Sequence, residues 1–477
     1  MTTPDLTTLL PLLVLSGGAL ITLVVSALRR NHLLTFSLTL ITLLASFLTL
    51  PTAAGQTPRQ VTPLLIMDQY ALFFIGFILV TSLVIAVLTY RYLQYHDEHR
   101  EEYYVVLMLA ALGSGALVAS SHFISLFLGL ELLTVSLYVM IAYLRTNQPP
   151  LEAGVKYLIL AAASSAFLLF GMALLYAEIG TMEFAALGNK LAAGGYRAIY
   201  VLTGTALVLT GAGFKLAVVP FHMWTPDVYE GAPAPVTAFV ATASKGAMFA
   251  LLLRYFLATD AYNFTSAILA VSVIAIASML IGNFLALLQT NVKRLLAYSS
   301  ISHLGYILVA LVAGGSMAAE AVLYYLVVYS ASILGAFGII TLLTDGNGEP
   351  LRIEDYRGLF WTRPGIAIAM TAVMLSLAGI PLTAGFVGKF LVLTAGVGSA
   401  QWTLSIVLVI SSAIGLYYYL RVIVAMFTQV EEDQVLRTPI TMGGGAVLTV
   451  LTFIVIYLGV YPAPLVRLIE NVIGSVV

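Results

Sequence analysis

The 477-residue chain contains no cysteine and very few charged residues. Without cysteine it forms no disulfide, holds no iron–sulfur cluster or zinc ion through thiolates, and has no cysteine nucleophile. Charged residues make up 9% of the chain, whereas soluble domains carry about 25%. Since a soluble protein cannot cover its surface with so few charges, the composition indicates an integral membrane protein.

Histidine is also scarce, and the net charge is close to zero. The six histidines are scattered and form no HExxH motif, so no metal site is predicted. A formal net charge of −1 argues against a nucleic-acid partner. Apolar residues make up 61% of the chain, in runs of about 20 residues that lack the alternation of an outer-membrane barrel. The sequence therefore predicts an all-α polytopic membrane protein in a lipid bilayer.

Fourteen apolar segments predict about 14 transmembrane helices in a single membrane domain covering residues 1–477. Because the fourth and fifth segments are almost continuous, 13 helices is the alternative count. The predicted spans are 6–28, 33–51, 69–90, 103–121, 122–144, 155–177, 199–219, 237–257, 264–288, 296–315, 318–343, 365–397, 402–427 and 441–461.

The positions of arginine and lysine predict the orientation. Asp5 precedes the first span, and Arg29 and Arg30 follow it, which is the reverse of the charge order of a signal peptide. With the N-terminus outside, 13 of the 21 basic residues lie at inside ends of spans, five lie at outside ends and three lie within spans. This bias follows the positive-inside rule, and it supports an even number of spans with both termini on the outer side.

Four ionisable residues lie deep within the predicted spans: Glu131, Lys215, Lys245 and Lys389. A charge at the bilayer centre costs about 2.5–3.5 kcal/mol, so pairing or hydration must offset it. Static ion pairs are one explanation, but one carboxylate cannot neutralise three ammonium groups. A proton relay is the functional interpretation, because a buried lysine whose partner withdraws can release its proton.

Glycine and proline cluster beside two of these lysines. The clusters are Gly211, Gly213 and Pro220 around Lys215, and Gly379, Pro381, Gly385 and Gly388 before Lys389. Such residues interrupt helices, and paired interruptions mark ion sites in transporters built from repeats. Close packing of small residues is the alternative explanation. The segment "PFHMWTPDVYEGAPAPV" (220–236) is predicted as a turn leading to the helix that carries Lys245.

Two histidines are further candidates for the relay. His303 lies in "SSISHLGYILVA", where a hydrogen-bonded packing role is the alternative. His222 follows Pro220 in the predicted inside loop, where it would load protons from the cytoplasm. The segments 164–175 and 330–343 are loosely alike, which indicates an internal two-fold repeat.

Several segments together resemble a known family. The segments "GFKLAVVPFHMWTPDVYEGAPAPV", "FVATASK", "QTNVKRLLAYSSISHLGYILVAL" and "MLSLAGIPLTAGFVGKF" are similar to the antiporter-like membrane subunits of bacterial NADH–quinone oxidoreductase, respiratory complex I. The resemblance extends over essentially the whole chain, and the chain is more distantly similar to cation/proton antiporter subunits.

The resemblance implies two inverted five-helix repeats with discontinuous helices 7 and 12. Helices 1–3 would lie in residues 1–100, the first repeat (helices 4–8) in 101–260, the second (helices 9–13) in 261–430, and helix 14 with the C-terminus in 431–477. The buried glutamate of the family corresponds to Glu131. Its lysines on helices 7, 8 and 12 correspond to Lys215, Lys245 and Lys389.

The resemblance also implies a function. The chain would be a proton-translocating subunit of an NADH:quinone oxidoreductase in the bacterial cytoplasmic membrane, with both termini on the periplasmic side. It would carry no redox centre, because NADH, FMN, iron–sulfur clusters and quinone would bind to partner subunits. The expected partners are the antiporter-like subunit M and the small membrane subunits A, J and K.

In this interpretation protons enter from the cytoplasm toward Lys245 and Lys215 and leave by way of Lys389. The pair of Glu131 and Lys215 would act as the switch. The alternatives are a cation/proton antiporter subunit without redox coupling and a passive scaffold, and a relationship to membrane-bound hydrogenases also stays open.

Overall fold

The computed structural model describes residues 2–96, 100–345, 348–429 and 441–475, and within these ranges the chain is mainly helical. In chain order the helices are α1 (Thr3–Thr8), α2 (Leu10–Leu28), α3 (His32–Leu48), α4 (Leu50–Ala54), α5 (Gln69–His96), α6 (Glu101–Val118), α7 (Phe123–Ile141), α8 (Gln148–Ile179), α9 (Phe184–Ala193), α10 (Ala198–Leu216), α11 (Trp224–Gly231), α12 (Ala234–Phe239), α13 (Lys245–Ala258), α14 (Thr265–Leu287), α15 (Val292–Ala313), α16 (Gly315–Leu343), α17 (Leu359–Thr362), α18 (Pro364–Ala378), α19 (Ala384–Gly398), α20 (Trp402–Phe427), α21 (Met442–Val460) and α22 (Ala463–Ile473). Short 3₁₀ turns cover Ala261–Asn263 and Ile353–Tyr356, and the strands β1 (Arg59–Thr62) and β2 (Leu65–Met67) form an antiparallel hairpin.

The helices confirm the predicted all-α polytopic membrane fold. In the described part of the chain, 13 helices are long and apolar enough to cross a membrane. The remaining predicted span, 365–397, is divided between the shorter apolar helices α18 and α19. Helices α6 and α7 are separate, so the fourth and fifth predicted spans do not fuse.

Glycines allow α6 and α7 to pack as a close antiparallel pair. A Cβ atom on Gly113 would lie 2.6 Å from the backbone nitrogen of Leu133, and one on Gly129 would lie 2.8 Å from that of Leu117. Only glycine leaves room for two backbones at this distance, which is the packing mode of small residues between membrane helices.

The helices differ strongly in how much of their surface the protein itself covers. The apolar 18-residue segment within Ala234–Ala258 is 100% buried by the rest of the protein, and the corresponding segments of α15 and α16 are 94% buried. The corresponding segments of the spans His32–Ala54 and α21 are only 28% buried. The first three therefore form the centre of the molecule, and the helices that carry Lys245 and His303 contact protein rather than lipid.

Helix 7 of the predicted fold is discontinuous. Helix α10 ends at Leu216, Ala217 adopts a left-handed conformation with φ of 61°, and the chain becomes helical again at α11. The break follows Lys215 and does not open at the preceding glycines, because Gly211 lies within α10 and packs against α8. A Cβ atom on Gly211 would approach Leu168 Cβ to 2.7 Å.

Helix 12 is also discontinuous. Helix α18 ends at Ala378, Gly379 follows with φ of 83°, and α19 begins at Ala384. The two half-helices pass each other so closely that a Cβ atom on Gly385 would lie 1.8 Å from the carbonyl oxygen of Ser376. A left-handed glycine ends a helix at low energetic cost and leaves the preceding carbonyls without helical partners.

The connection between Lys215 and Lys245 is more ordered than a turn. The predicted turn 220–236 contains helix α11 and the start of α12, so that prediction was incomplete. A π-helical turn, Val240–Ser244, then joins α12 to α13, and Lys245 is the first residue of α13. Such turns locally widen a helix and recur at functional sites. The predicted boundaries of the two repeats stay a prediction.

Candidate functional site

Lys215 is buried near the C-terminal end of α10, with 5% of its surface exposed. Its Nζ donates a 2.6 Å hydrogen bond to Oγ1 of Thr134 and lies 3.5 Å from the hydroxyl of Tyr157. The same nitrogen lies 5.4 Å from the centre of the Tyr157 ring and 5.8 Å from that of Phe214. No carboxylate of the described residues pairs with it within 4.0 Å.

Glu131 lies near Lys215 but points its carboxylate at another partner. It is on α7, three residues before Thr134, and therefore lies on the same face of that helix. Its Oε1 accepts a 2.5 Å hydrogen bond from the hydroxyl of Ser165 on α8. The two partners of Lys215, Thr134 and Tyr157, lie on the same two helices, α7 and α8. The structure thus brings the predicted pair into one cluster without a direct ion pair.

Lys245 lies at the centre of the molecule and is 1% exposed. Its Nζ donates a 2.7 Å hydrogen bond to Oγ of Ser300, and the ring of Tyr229 covers it at 5.3 Å. The Ser300 hydroxyl also accepts a 2.6 Å hydrogen bond from Tyr329. Ser300 therefore joins Lys245 to a second ionisable side chain.

His303 lies three residues beyond Ser300 on α15 and is 3% exposed. Its Nδ1 lies 2.8 Å from the hydroxyl of Tyr325, and its Nε2 lies 3.0 Å from that of Tyr419. The ring centre lies 5.3 Å from that of Tyr329. A neutral imidazole donates through one nitrogen and accepts through the other, so His303 joins two tyrosine hydroxyls in one hydrogen-bonded chain.

Lys389 lies against the break between α18 and α19. Its Nζ donates hydrogen bonds to the carbonyl oxygens of Leu377, at 3.0 Å, and Ala378, at 2.8 Å, and to Oγ of Ser412, at 2.8 Å. These carbonyls end α18, where the helix dipole favours a cation. The ring of Tyr306, which also contacts the His303 ring at 5.4 Å, lies 5.2 Å from this nitrogen.

His222 lies in the break between α10 and α11, and only 6% of its surface is exposed. Its Nδ1 is buried and has no hydrogen-bond partner among the described residues. It makes no hydrogen bond to Lys215, Lys245 or Lys389 within the described part of the chain.

Sequence reasoning missed the hydroxyl groups that connect the predicted residues. The missed side chains are Thr134, Tyr157, Ser165, Ser300, Tyr325, Tyr329, Tyr419 and Ser412. The sequence gives one partial signal, the run "SSIS" directly before His303. Serine and tyrosine are otherwise too common in membrane helices to be singled out. The described ranges contain no group of three histidine, aspartate or glutamate side chains arranged to hold a metal ion.

Comparisons with known sequences give one consistent result. The family described as "NADH:quinone oxidoreductase/Mrp antiporter, TM" matches residues 120–415. NADH-quinone oxidoreductase subunit N of Ectopseudomonas mendocina is 49% identical over 480 residues, covering 98% of this chain and 97% of the relative. Subunit N of Nitrosospira multiformis is 51% identical over 490 residues, covering 99% and 97%.

Solved structures show the same relationship. A chain of respiratory complex I from Thermus thermophilus with bound aureothin superimposes with a TM-score of 0.83 at 29% identity, covering 96% of this chain and 98% of that one. A chain of the archaeal membrane-bound sulfane sulfur reductase gives 0.88 at 25% identity, covering 99% and 98%. A chain of the Mrp complex from Dietzia sp. gives 0.86 at 20% identity, covering 99% and 97%, which shows a shared fold.

The family match covers more than half of the chain, and the curated relatives match it along nearly its full length. The chain therefore belongs to the NADH:quinone oxidoreductase/Mrp antiporter transmembrane family and, within it, to the antiporter-like membrane subunits N of NADH-quinone oxidoreductase.

Proposed function

We propose that this subunit carries protons across the membrane through Glu131, Lys215, Lys245, His303 and Lys389, driven by quinone reduction in partner subunits. NADH, FMN, iron–sulfur clusters and quinone bind to those partners in this proposal, and this chain supplies only the path for protons. The relatives named as subunits of NADH-quinone oxidoreductase support this division of labour.

One observation carries the proposal: the three candidate lysines are buried and lack a carboxylate partner within the described residues. In a fixed buried ion pair, a lysine that loses its proton leaves an uncompensated carboxylate behind, which is strongly unfavourable. Lys215, Lys245 and Lys389 instead bind hydroxyls and carbonyls. Each of them can give up a proton without exposing a buried counter-ion.

A fourth buried lysine shows the contrast. Lys293 is fully buried but forms a 2.6 Å ion pair with Glu349. Such a pair fixes the protonation state of both members, so Lys293 is structural by the same criterion. Burial alone therefore does not select the relay residues, whereas burial without a counter-ion does.

The hydrogen bonds suggest an order for the transfer. Lys245, near the end of the first repeat, is linked through Ser300 of the second repeat to Tyr329, whose ring packs on His303. The ring of Tyr306 then lies between His303 and Lys389. Protons entering from the cytoplasm reach Lys245 and Lys215 first, with His222 as the loading residue, and leave by way of Lys389.

Glu131 acts as the switch of the first half. In this structure the Glu131 carboxylate is bound to Ser165, so Lys215 has no counter-ion in contact and can release its proton. When Glu131 turns from Ser165 toward Lys215, the ion pair holds the proton on the lysine. A swing of one carboxylate between two partners is enough to open and close the path.

The surroundings of the subunit belong to the same proposal. The membrane is the bacterial cytoplasmic membrane, both termini lie on the periplasmic side, and the neighbours are subunit M and the small subunits A, J and K. The bias of arginine and lysine toward the predicted inside ends supports the orientation. Residues 101–260 and 261–430 form the two inverted repeats, each with one of the broken helices.

The test uses the whole purified complex reconstituted into vesicles. Lys215→Ala is expected to abolish quinone-coupled proton uptake, followed with a pH-sensitive dye, while NADH oxidation by an artificial acceptor shows that the complex still assembles. Lys190→Ala, on the exposed face of α9, is the matched control and keeps proton uptake. Undiminished proton transport in Lys215→Ala would refute the relay. Sodium-dependent proton movement without quinone reduction would favour the antiporter alternative.

A further inference from the structure

Helix α11 lies between the two lysine environments of the proposed relay. At its N-terminal end, Nε1 of Trp224 donates a 2.9 Å hydrogen bond to the carbonyl oxygen of Phe214, and its ring lies 5.1 Å from that of Tyr157. Phe214 and Tyr157 are the rings that cover Lys215. A displacement of this end of α11 therefore moves the walls around Lys215.

The other end of α11 contacts Lys245. The ring of Tyr229 covers the Lys245 nitrogen at 5.3 Å, and its hydroxyl lies 3.4 Å from Oγ of Ser300. Trp224 and Tyr229 lie five residues apart on the same short helix. Whatever fixes α11 thus fixes the surroundings of both lysines together.

A buried ion pair fixes the C-terminal end of α11. Nζ of Lys293 donates to the carbonyl oxygen of Ala232 and to Oε2 of Glu349, both at 2.6 Å. Oε1 of Glu349 accepts a 2.8 Å hydrogen bond from the backbone nitrogen of Ala234 and a 2.7 Å hydrogen bond from the hydroxyl of Tyr92. The pair therefore binds the backbone on both sides of Pro233.

The signs of these charges match the helix ends they meet. Ala232 follows the C-terminus of α11, where the unpaired carbonyls favour a cation, and Ala234 begins α12, where the free N–H groups favour an anion. Lys293 supplies the cation and Glu349 the anion. The pair thereby satisfies backbone groups that the break between the two helices leaves open.

A second set of ion pairs binds the acidic side chains of α11 from two neighbouring helices. Nη1 of Arg294, on α15, binds Asp227 at 2.9 Å and Glu230 at 2.7 Å. Lys156, on α8, binds Asp227 at 2.9 Å and Glu152 at 2.7 Å. Since α8 and α15 belong to the first and second predicted repeats, α11 is tied to both halves of the molecule.

We propose that Lys293 and Glu349 are positioning residues that fix the C-terminal end of α11 and, through Trp224 and Tyr229, hold the surroundings of Lys215 and Lys245 in a fixed arrangement. This inference rests on the proposed relay. The ion pairs take no proton themselves; they hold the one helix that touches both lysine environments. Loss of the pair of Lys293 and Glu349 lets α11 shift, and the proton path between Lys215 and Lys245 is interrupted while electron transfer in partner subunits continues.

The experiment compares three changes in the whole reconstituted complex. Glu349→Gln and Lys293→Met each break the buried pair. The double variant Lys293→Met, Glu349→Met also removes the charge that a single change leaves unpaired, so it assembles even where a single variant does not. All three are expected to lower the number of protons translocated per NADH oxidised.

A readout on α11 itself separates positioning from general destabilisation. Hydrogen–deuterium exchange of the peptide covering 224–236 is expected to accelerate in all three variants. Arg254→Gln is the matched control, because it breaks a similarly buried ion pair, with Asp68, near the C-terminal end of α13 and away from α11. In this control the assembled complex keeps its proton-to-electron ratio and the exchange rate of 224–236.

The outcomes decide between the two proposals. If Lys215→Ala loses proton transport while the double variant keeps both its ratio and its exchange rate, the positioning role is wrong and the relay stands. If Lys215→Ala itself pumps normally, the relay fails first. If Arg254→Gln lowers the ratio as much as Glu349→Gln, the effect is general loss of stability, and the positioning role is again overturned.

Discussion

Lys245 donates a 2.7 Å hydrogen bond to the hydroxyl of Ser300, and Ser300 lies three residues before His303 on α15. Lys245 is thereby linked to helix α15, which also carries His303. Among the described residues, His303 is the only histidine that bridges two tyrosine hydroxyls. The link is a neutral hydroxyl, which can accept a proton from one side while giving one to the other.

The first prediction concerns this hydroxyl. Ser300→Ala leaves the Nζ of Lys245 and the hydroxyl of Tyr329 without their shared partner. A buried donor without an acceptor costs about 1–3 kcal/mol, so proton uptake is expected to fall about tenfold, the change that corresponds to about 1.4 kcal/mol. Ser300→Thr keeps the hydroxyl and most of the rate. Proton uptake is measured by dye quenching in vesicles. Equal uptake rates in Ser300→Ala and Ser300→Thr would contradict a role for the Ser300 hydroxyl in proton transfer.

The second prediction concerns the partner of Lys215. Thr134→Val preserves the shape of the side chain and removes the oxygen that accepts the 2.6 Å hydrogen bond. Among the described residues Lys215 then keeps only the more distant Tyr157 hydroxyl as a hydrogen-bond partner. Glu131 is therefore expected to turn toward Lys215 and hold its proton there. Slower proton uptake at unchanged NADH oxidation by an artificial acceptor is the expected result. Thr134→Ser, which keeps the oxygen, serves as the control.

The third prediction concerns His303 and its two tyrosines. Tyr325→Phe and Tyr419→Phe each remove one partner of the imidazole, and His303→Ala removes the bridge itself. Each tyrosine variant is expected to slow proton uptake less than His303→Ala does. For His303→Ala we expect a decrease of about a hundredfold, the lower limit for loss of an acid–base group. If His303 only fills space, His303→Phe restores the rate, and that recovery contradicts a role in proton transfer.

The fourth prediction concerns stability. Arg254 forms two hydrogen bonds to Asp68, at 2.7 and 2.8 Å, and both side chains are almost fully buried. Arg254→Met leaves the Asp68 carboxylate buried without a counter-ion and is expected to cost about 3–5 kcal/mol. Adding Asp68→Leu removes that charge and recovers part of the loss. The thermal midpoint of the purified complex measures both, and a double variant as unstable as the single one contradicts this account.

Much of the fold follows from the sequence because a bilayer restricts the choices. Backbone groups in hydrocarbon must bond within their own segment, so each long apolar run has to be a helix. The spans ending near Leu28, Ile179 and Leu287 accordingly lie close to their predicted ends. The sequence signal fails for Trp224–Gly231, because a short helix rich in polar residues and proline has no periodicity distinguishable from a loop.

The candidate lysines were also visible in the sequence, since an ionisable residue in an apolar run is costly and therefore conspicuous. Lys293 marks the limit of that argument. It is one of the 13 basic residues counted at predicted inside ends, just before the predicted span 296–315, yet the structure buries it completely against Glu349. Its partner lies 56 residues further along the chain, and no local pattern connects the two.

The sequence by itself thus determined the membrane fold, the approximate number of spans, and the three buried lysines with the partly buried Glu131, because hydrophobicity and insertion cost are properties of each segment alone. Only the tertiary structure decided which charges are paired, which hydroxyls join them, and that the break of helix 7 follows Lys215. These depend on contacts between residues far apart in the chain, such as Thr134 with Lys215, 81 positions later. Whether a buried charge can change its protonation state is set by such contacts.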